Sequence, residues 1–416
     1  MGGFSLSLCP PHSNLQPLNS LILKTLKILY VIPSVSHVHG GPSHVIAVME
    51  AAVAEAGAKV TTATTDDDGP GRRLAINARP DLVNGAKRFY ARKWFDFYSI
   101  APGIVPWLWR NVRRFDVVHI HALFSFSSVA AAIVARARGV PYIIRPLGTL
   151  TTYGVSQRRP WLKRLSLAVI EGPIIRASAA AHFTSKAEWD EAAALGIPLR
   201  GVVIPLGVEE QQPGDRQVLL GDFPSLEGRQ RLLFLSRLDP KKNVEGLLRA
   251  FAQLERRHAR ANLVIAGNGP AAYVASLKEL ARSLGIAQRV VWLGHVEGPR
   301  KSAAFAAADA FVLPSFSENF GIAVVEALLA GLPCVLGRGV AIAKDVQKAG
   351  AGLVTAPEPD AIAQALEQLL GDDALRRDMG ARGKAFAERQ YSARAMAERL
   401  IALYEDIRSR RGTNVA

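Results

Sequence analysis

Short runs of apolar residues alternate with longer segments of helical periodicity along most of the chain. In the first half the runs occupy residues 26–32, 58–64, 116–121, 141–146, 180–185 and 202–206. In the second half they occupy residues 231–238, 262–267, 289–294, 309–315 and 332–337. Strands that alternate with helices form parallel sheets with helices on both faces. The pattern therefore predicts an α/β fold with two doubly wound, Rossmann-like domains and a ligand cleft at the carboxyl ends of their strands.

The polar segment EEQQPGDRQ separates the two series of strands and has the composition of a linker. We therefore expect a first domain at residues 24–208, a linker at 209–230 and a second domain at 231–390. Residues 391–416 carry a final amphipathic helix and tail. Residues 1–23 are rich in proline and lack a basic start, which predicts a mobile extension and argues against a signal peptide.

Composition narrows the class of protein. The 416 residues are 49% hydrophobic, which suffices for two cores, yet no apolar run reaches the ~18–20 residues of a spanning helix. Two cysteines, Cys9 and Cys334, cannot form a disulfide framework, so a cytoplasmic location is expected. The net charge of +15 is spread over both halves. An even spread is more typical of a solvated surface than of a nucleic-acid-binding face.

The stretch SFSENFGIAVVEALLAGLPCVL carries the most chemical information. Glu318 lies in a predicted loop and Glu326 in the helix that follows it. The N–H groups of Asn319, Phe320 and Gly321 at the helix start suit a phosphate or hydroxyl group, and carboxylates can accept bonds from vicinal diols. An isolated pair of glutamates would more often be solvated surface charges.

The E-x7-E spacing together with NFG and EALLAGLPCV resembles retaining glycosyltransferases of family 4, which have the two-domain GT-B fold. The resemblance extends over roughly residues 24–410. It implies that Glu326 binds the ribose of a nucleotide, and that Glu318 and residues 319–321 lie beside the donor sugar. It also implies that the final helix crosses back onto the first domain.

Two cations mark the start of the second domain, in SRLDPKKN. Arg237 ends a predicted strand and Lys242 precedes a helix, so together they could clamp a diphosphate and stabilise a leaving nucleotide. Alone, this motif would more often be a set of surface charges. Its position before the E-x7-E stretch matches the Arg–Lys pair of family 4, with Asn243 in place of the usual glycine.

Two glycine-rich turns follow predicted strands. In HVHGGPSH, Gly41 precedes a helix, where the backbone could approach a phosphate closely or simply form a tight turn. The family resemblance implies that this Gly-Gly pair faces the donor phosphates. In AGNGP, Gly267 and Gly269 resemble the family's G-x-G-P turn, which implies a part in the nucleotide pocket; a turn needed only for folding is the alternative.

The acceptor side is expected in the first domain. His119 and His121 share one face at the end of a strand, but no third ligand has suitable spacing for zinc, and no metal is expected. We predict that His121 lines the acceptor side. Many family 4 members carry a histidine where this chain has Leu147. The local pattern resembles members linked to exopolysaccharide assembly, and Arg145 is expected to supply the polar contact instead.

A basic and aromatic region occupies residues 79–114, with eight lysines and arginines against two acids. Residues 158–164, around Trp161, extend it. Such a surface could rest on anionic lipid, or it could be a helical excursion packed on its own domain.

These features predict a retaining hexosyltransferase that uses a UDP- or GDP-sugar, without cofactor or metal, and a polysaccharide-precursor acceptor. If the acceptor is lipid-linked, contact with the inner face of the plasma membrane would follow. A sugar-nucleotide epimerase of similar architecture is the alternative, and it would turn over without an acceptor. A basic nucleic-acid-binding protein is a weaker alternative, because no nucleic-acid-binding motif is found.

Overall fold

A computed structural model describes residues 25–75, 82–83, 85–150, 160–209, 212–254 and 258–413. The expected extension at residues 1–23 lies outside them. The strands are β1 Lys27–Val31, β2 Lys59–Thr65, β3 Leu82–Val83, β4 Ala86–Ala91, β5 Val117–His121, β6 Tyr142–Arg145, β7 Ala180–Phe183, β8 Gly201–Val203, β9 Gln230–Leu235, β10 Ala261–Ala266, β11 Val290–Gly294, β12 Ala310–Leu313, β13 Cys334–Gly337 and β14 Gly352–Thr355. The α-helices are Gly41–Glu55, Ile104–Asn111, Phe126–Ala137, Pro160–Ser166, Gly172–Arg176, Lys186–Ala193, Arg216–Asp222, Val244–Leu254, Ala271–Ser283, Gly298–Ala307, Ile322–Leu329, Ala343–Lys348, Pro359–Gly371, Asp373–Tyr391 and Ala393–Thr413.

The strands form two separate sheets, one in each lobe. The first lobe has the order β3-β4-β2-β1-β5-β6-β7-β8, in which only the β3–β4 pair is antiparallel among the described strands. The second lobe has the order β11-β10-β9-β12-β13-β14 and is parallel. In each sheet the strand order reverses beside the first strand, between β1 and β5 and between β9 and β12. Ligands of doubly wound proteins bind at such reversal points.

The central strands are buried on both faces, which explains their continuous apolar sequences. Cys334 in β13 is fully buried, and burial raises the pKa of its thiol. The sequence pattern missed β4, whose residues AKRFYA carry charges at Lys87 and Arg88. Arg88 donates to Glu50 at 2.5 Å inside the lobe, so its charge is paired. Residues 79–114 were expected either to rest on lipid or to form a helical excursion packed on their own domain. They contain β3 and β4 as well as the helix Ile104–Asn111, so the helical interpretation is correct only for that helix.

The segment expected to be a linker contains a helix. Arg216–Asp222 lies within residues 209–230, and Asp222 pairs with Arg300 of the second lobe at 3.1 Å. Gly214 lies against the same helix, Gly298–Ala307, so closely that a Cβ at position 214 would be 2.0 Å from the Ser302 carbonyl oxygen. This helix therefore packs as part of the second lobe.

The helix Ala393–Thr413, called the terminal helix below, returns to the first lobe. It packs against Gly41–Glu55, and Tyr404 is fully buried there. The Tyr404 hydroxyl lies 2.8 Å from Nδ1 of His119 and 3.3 Å from the hydroxyl of Tyr30. The expected crossover is confirmed.

Three buried histidines lie beneath the terminal helix. His182 donates from Nε2 to the Ile204 carbonyl oxygen at 2.8 Å, and its Nδ1 lies 3.3 Å from Nε2 of His119. Neither ring nitrogen of His121 has a hydrogen-bond partner. Burial is the largest cause of the lowered pKa of all three rings, and the charge of Arg145 lowers each pKa further. The rings are therefore neutral at pH 7.

This cluster predicts a loss of stability in mild acid. Burial lowers the pKa of His182 to about 3, whereas an unfolded histidine binds a proton near pH 6.5. The unfolded state thus gains protons that the folded state excludes, and stability falls as the pH drops below ~6.5. Each such histidine contributes a loss of about 1.4 kcal/mol between pH 7.5 and pH 5.5. Urea unfolding at the two pH values measures the total loss of unfolding free energy from the three histidines.

The matched comparison is His121→Leu with His295→Leu. The first removes a buried ring that makes no hydrogen bond, and the second removes an exposed ring. Only His121→Leu should reduce the difference in unfolding free energy between the two pH values. An equal reduction in both variants would contradict the assignment.

Candidate functional site

A cavity of about 1020 Å³ lies between the carboxyl ends of the two sheets and is lined by both lobes. Most of the residues that the sequence singled out meet around it. They are Gly41, Arg145, Arg237, Lys242, Gly267, Gly269, Glu318, Asn319, Phe320, Gly321 and Glu326.

The cations of the second lobe follow β9. Arg237 is exposed, and Lys242 lies on the single 3-10 turn Pro240–Lys242 with only 8% of its surface accessible. The next residue, Asn243, has a left-handed φ of 56°, a conformation that asparagine tolerates better than most residues. Its amide donates to the Pro357 carbonyl oxygen at 2.8 Å. Asparagine can thus replace the family's usual glycine without losing the turn.

The two carboxylates are each paired with a lysine. Lys242 donates through Nζ to Oε2 of Glu318, and Lys301 donates to Oε1 of Glu326 at 2.5 Å. The Glu318 backbone is held to Gly339, whose carbonyl oxygen accepts from its N–H at 2.9 Å. Two of the cations at the cavity are therefore neutralised by carboxylates, and an incoming anion would compete with Glu318 for Lys242.

Sequence reasoning missed Lys301. It lies on Gly298–Ala307 and lines the cavity, with 24% of its side chain accessible. Within EGPRK it resembles any lysine in the first turns of a surface helix. Only the fold, which places Gly298–Ala307 within side-chain reach of Ile322–Leu329, brings it to Glu326.

The helix Ile322–Leu329 begins at the cavity wall. Gly321 precedes it with a φ of 92°, and Ile322 and Ala323 also line the cavity. The positive end of the helix dipole therefore faces the space between the lobes. Phe320 anchors the loop, since its buried ring packs edge-on against Tyr391 at 5.6 Å. Phe320 is thus held in place by its side chain, and its backbone remains beside the cavity.

The glycines of AGNGP allow two loops to touch. Gly267 has a φ of 140°, and a Cβ there would lie 1.8 Å from the Ser236 carbonyl oxygen. A Cβ at Gly269 would lie 2.2 Å from the Leu238 carbonyl oxygen. Gly41 differs, because a Cβ there would meet no protein atom within 4 Å. Packing in the protein therefore explains Gly267 and Gly269 but does not explain Gly41.

The lobes meet at the loop after β6. Leu147 and Gly148 have φ values of 57° and 73°, and both line the cavity. A Cβ on Gly148 would lie 2.1 Å from the Asn319 side-chain nitrogen, so first-lobe backbone packs directly against the loop that carries Glu318. The Gly148 N–H is held by Glu188 Oε1 at 2.8 Å.

The structure corrects the expectation for His121. Its ring is fully buried, packs against Tyr30 at 5.0 Å between centroids, and is not among the residues that line the cavity. The last residue of β5 faces the side covered by the helix Gly41–Glu55 and the terminal helix. His119 shares that face, as the spacing predicted, at 4.3 Å from His121.

Within the described ranges, no three His, Cys, Asp or Glu side chains form a group that could hold a metal ion. Nor does any described helix combine the length and the apolar character needed to span a bilayer.

Two family models match the chain, one in each lobe. Residues 40–207 match the family described as glycosyl transferase 4-like domain, and residues 216–386 match glycosyl transferases group 1. Each lobe thus matches the model of a glycosyltransferase domain family. The pairing agrees with the resemblance carried by the E-x7-E stretch.

Curated relatives align mainly over parts of the chain. A D-inositol 3-phosphate glycosyltransferase of Corynebacterium diphtheriae is 39% identical over 181 residues, and the aligned segment spans 42% of each protein. The chain thus spans less than half the length of that relative. An alpha-D-kanosaminyltransferase of Streptomyces kanamyceticus is 26% identical over 328 residues, which cover 74% of this chain and 83% of that relative.

Solved structures match the whole architecture. HepE of Anabaena in complex with UDP aligns with a TM-score of 0.73 at 19% identity, over 92% of this chain and 100% of that one. Sucrose-phosphate synthase of Thermosynechococcus elongatus aligns with a TM-score of 0.72 at 18% identity, over 92% and 99%. At this level of identity the likeness shows the fold, which is GT-B.

Proposed function

We propose that this protein is a retaining glycosyltransferase that moves a hexose from a nucleotide diphosphate sugar to a polysaccharide-precursor acceptor. The main support is the convergence of Arg237, Lys242, Glu318 and Glu326 on one cavity between two glycosyltransferase domains. The coordinated placement of two cations and two carboxylates suits a ligand with a diphosphate at its centre and diols on both sides.

Donor binding would exchange the partner of Lys242. In the free protein its ammonium is paired with Glu318. A diphosphate carries more charge than one carboxylate, so Lys242 would turn to the phosphates beside Arg237 and release Glu318 for the sugar hydroxyls. Glu326 would accept bonds from the ribose diol. As the bond to the sugar breaks, the same cations stabilise the growing charge on the leaving nucleotide.

Retention follows in this proposal from attack on the face that the nucleotide leaves. The departing phosphate would take the proton of the acceptor hydroxyl, so no protein nucleophile is required. Gly41 would lie against the phosphates from the first lobe, where the cavity has room for them. The lysine and arginine side chains provide the positive charge for this chemistry.

The donor nucleotide is proposed to be UDP or GDP. Among relatives, one from Mycolicibacterium smegmatis is described as a GDP-mannose-dependent mannosyltransferase, and HepE was solved with UDP-glucose. A thermal-shift comparison of UDP- and GDP-hexoses would select the donor, and NMR of the product would report the anomeric configuration. An inverted product, or a trapped covalent glycosyl-enzyme, would overturn the retaining mechanism. Turnover of the donor without any acceptor would favour an epimerase.

An exposed apolar surface on the first lobe supports contact with an anionic membrane. Two segments form it, and the Tyr98 hydroxyl joins them by donating to Glu171. The exposed apolar side chains are Trp94, Phe95, Phe97, Trp161, Leu165, Val169 and Ile170. Lys163 and Arg164 lie within the second segment, so the surface combines aromatic and positive groups. We infer that it holds the protein at a membrane that presents a lipid-linked acceptor.

Vesicle sedimentation tests this inference. The double variant Trp94→Ser, Phe97→Ser should bind vesicles containing phosphatidylglycerol at least about tenfold more weakly, because both exposed rings are lost. Val218→Ser, which removes an exposed apolar residue of the second lobe, is the matched control. Equal binding by all three proteins would refute membrane contact through this surface.

A further inference from the structure

Arg145 is a buried cation at the cavity wall. It is the last residue of β6, lines the cavity, and has only 3% of its surface accessible. Its Nη1 donates to the sulfur of Met49 at 3.2 Å, a weak acceptor, and its Nε has no hydrogen-bond partner. Among the described residues no carboxylate forms a salt bridge with it.

The charge of Arg145 persists despite burial. Burial lowers the pKa of its guanidinium to about 10, so the group is still protonated at neutral pH. A buried charge without an ionic partner is strongly unfavourable, and proteins rarely keep one unless something pairs with it. The chain itself offers no such partner in the parts that the structure describes.

Glu188 is the carboxylate whose charge acts on Arg145, and it is already engaged. Its Oε1 accepts from the Gly148 N–H at 2.8 Å. Its Oε2 accepts from both the N–H and the hydroxyl of Thr184, each at 2.8 Å. Glu188 therefore holds the loop after β6 in place and leaves the guanidinium without a direct partner.

The other polar neighbours are neutral. His121 lies beside Arg145 in the register of β5 and β6, and burial lowers the pKa of its ring. The buried hydroxyl of Tyr30 keeps its proton, because burial raises its pKa. No described residue neutralises Arg145, and the cavity that it lines gives a ligand access to it.

We propose that Arg145 binds an oxyanion of the acceptor, a phosphate or a carboxylate, on the first-lobe wall of the cavity. The inference rests on the proposed glycosyl transfer and narrows its acceptor to molecules with an anionic group near the accepting hydroxyl. The donor diphosphate is a second source of the same chemistry. We assign the anion to the acceptor because Arg237 and Lys242 supply the second lobe with its own cations for the donor.

Inorganic phosphate serves as the probe, in protein whose donor site is first saturated with UDP or GDP, whichever binds. Calorimetry should show phosphate binding to the wild-type protein. In Arg145→Met the phosphate affinity should fall at least about tenfold, as expected for the loss of a charge-assisted pair. Arg136→Gln, which removes an exposed arginine of the same lobe, is the matched control and should bind phosphate normally.

Thermal stability is a second readout, measured first without ligand and then with phosphate. Because Arg145→Met removes an uncompensated buried charge, its Tm without ligand should rise by about 2–4 °C. Phosphate should raise the Tm of the wild-type protein but not that of the variant. If the methionine variant does not fold, Arg145→Lys retains the charge without the planar fork and should still weaken phosphate binding several-fold.

The outcomes separate the two sources of the anion. Nucleotide affinity within about twofold of wild type in Arg145→Met, with phosphate binding lost, supports the acceptor assignment. A tenfold loss of nucleotide affinity would assign Arg145 to the donor and overturn it. Absence of phosphate binding to wild type, or equal binding in the variant, would also overturn it. Neither readout requires turnover, so a failure of the proposed transferase activity would be seen separately, in the product assay.

Discussion

Replacing Lys242 by alanine should lower kcat for sugar transfer by about 10²- to 10³-fold. The side chain is nearly buried on a rigid 3-10 turn and lies at the cavity beside Arg237. In the proposed mechanism its ammonium meets charge that grows on the leaving nucleotide, an interaction stronger in the transition state than in the ground state. Steady-state kinetics with the donor selected above would measure the loss.

The neighbouring Lys241 provides a matched control. It has the same charge on the same turn but is not among the cavity-lining residues, so Lys241→Ala should retain activity within a few-fold. Direct binding adds a second criterion. Lys242→Ala should weaken UDP or GDP binding while leaving the affinity for the nucleoside unchanged, because only the diphosphate meets the lysine. Equal kinetic losses in both variants would exclude the assigned role.

The pairing of Lys242 with Glu318 connects the described structure with the proposed donor-bound form. A lysine this deeply placed would be costly without a counter-charge, and Glu318 provides one in the structure. The same carboxylate lies on the loop that touches Gly148 of the first lobe through Asn319. In the proposed mechanism, donor binding would therefore alter the contact between the lobes through one exchanged ion pair.

The parallel core was predictable because its strands are buried on both faces. Continuous apolar runs such as AFVL are distinctive, and β12 and β13 were found close to their actual bounds. β4 was missed because the charges of Lys87 and Arg88 interrupt its apolar pattern. β14 was missed because GLVT is only four residues long and follows a glycine-containing turn.

The site could be predicted where chemistry depends on neighbours in sequence. Glu318 and the helix start at Gly321 are local features, so their shared position at the cavity followed from the motif. Lys301 could not be inferred, because its contact with Glu326 depends on where the fold places two helices that are distant in sequence. The predicted position of His121 at the acceptor side was wrong for a related reason. Periodicity gives the face of a strand on which a residue lies, but it does not tell which helix covers that face.

Replacing Glu326 by alanine should weaken nucleotide binding by about 10²-fold or more. The carboxylate is 3% accessible and is fixed by Lys301 at 2.5 Å, so it is presented in one orientation. Two ribose hydroxyls bonded to a carboxylate are each worth about 1.5–3 kcal/mol. The variant also leaves the ammonium of Lys301 without this partner. Calorimetry with UDP or GDP would measure the change.

A change of ligand separates ribose recognition from a general disturbance of the site. Removing the 2′- and 3′-hydroxyls of the nucleotide should cost the wild-type protein most of its affinity, because Glu326 then has no diol to bind. In Glu326→Ala the same change of ligand should cost little, since the acceptor of those bonds is already absent. Glu297→Ala on the neighbouring loop, whose carboxylate is exposed and does not line the cavity, should behave as wild type. If the ribo- and dideoxynucleotide differ by the same factor in wild type and Glu326→Ala, the glutamate does not bind the ribose. Removal of the ribose hydroxyls and removal of the Glu326 carboxylate would then change the affinity independently, as is expected of groups that do not touch.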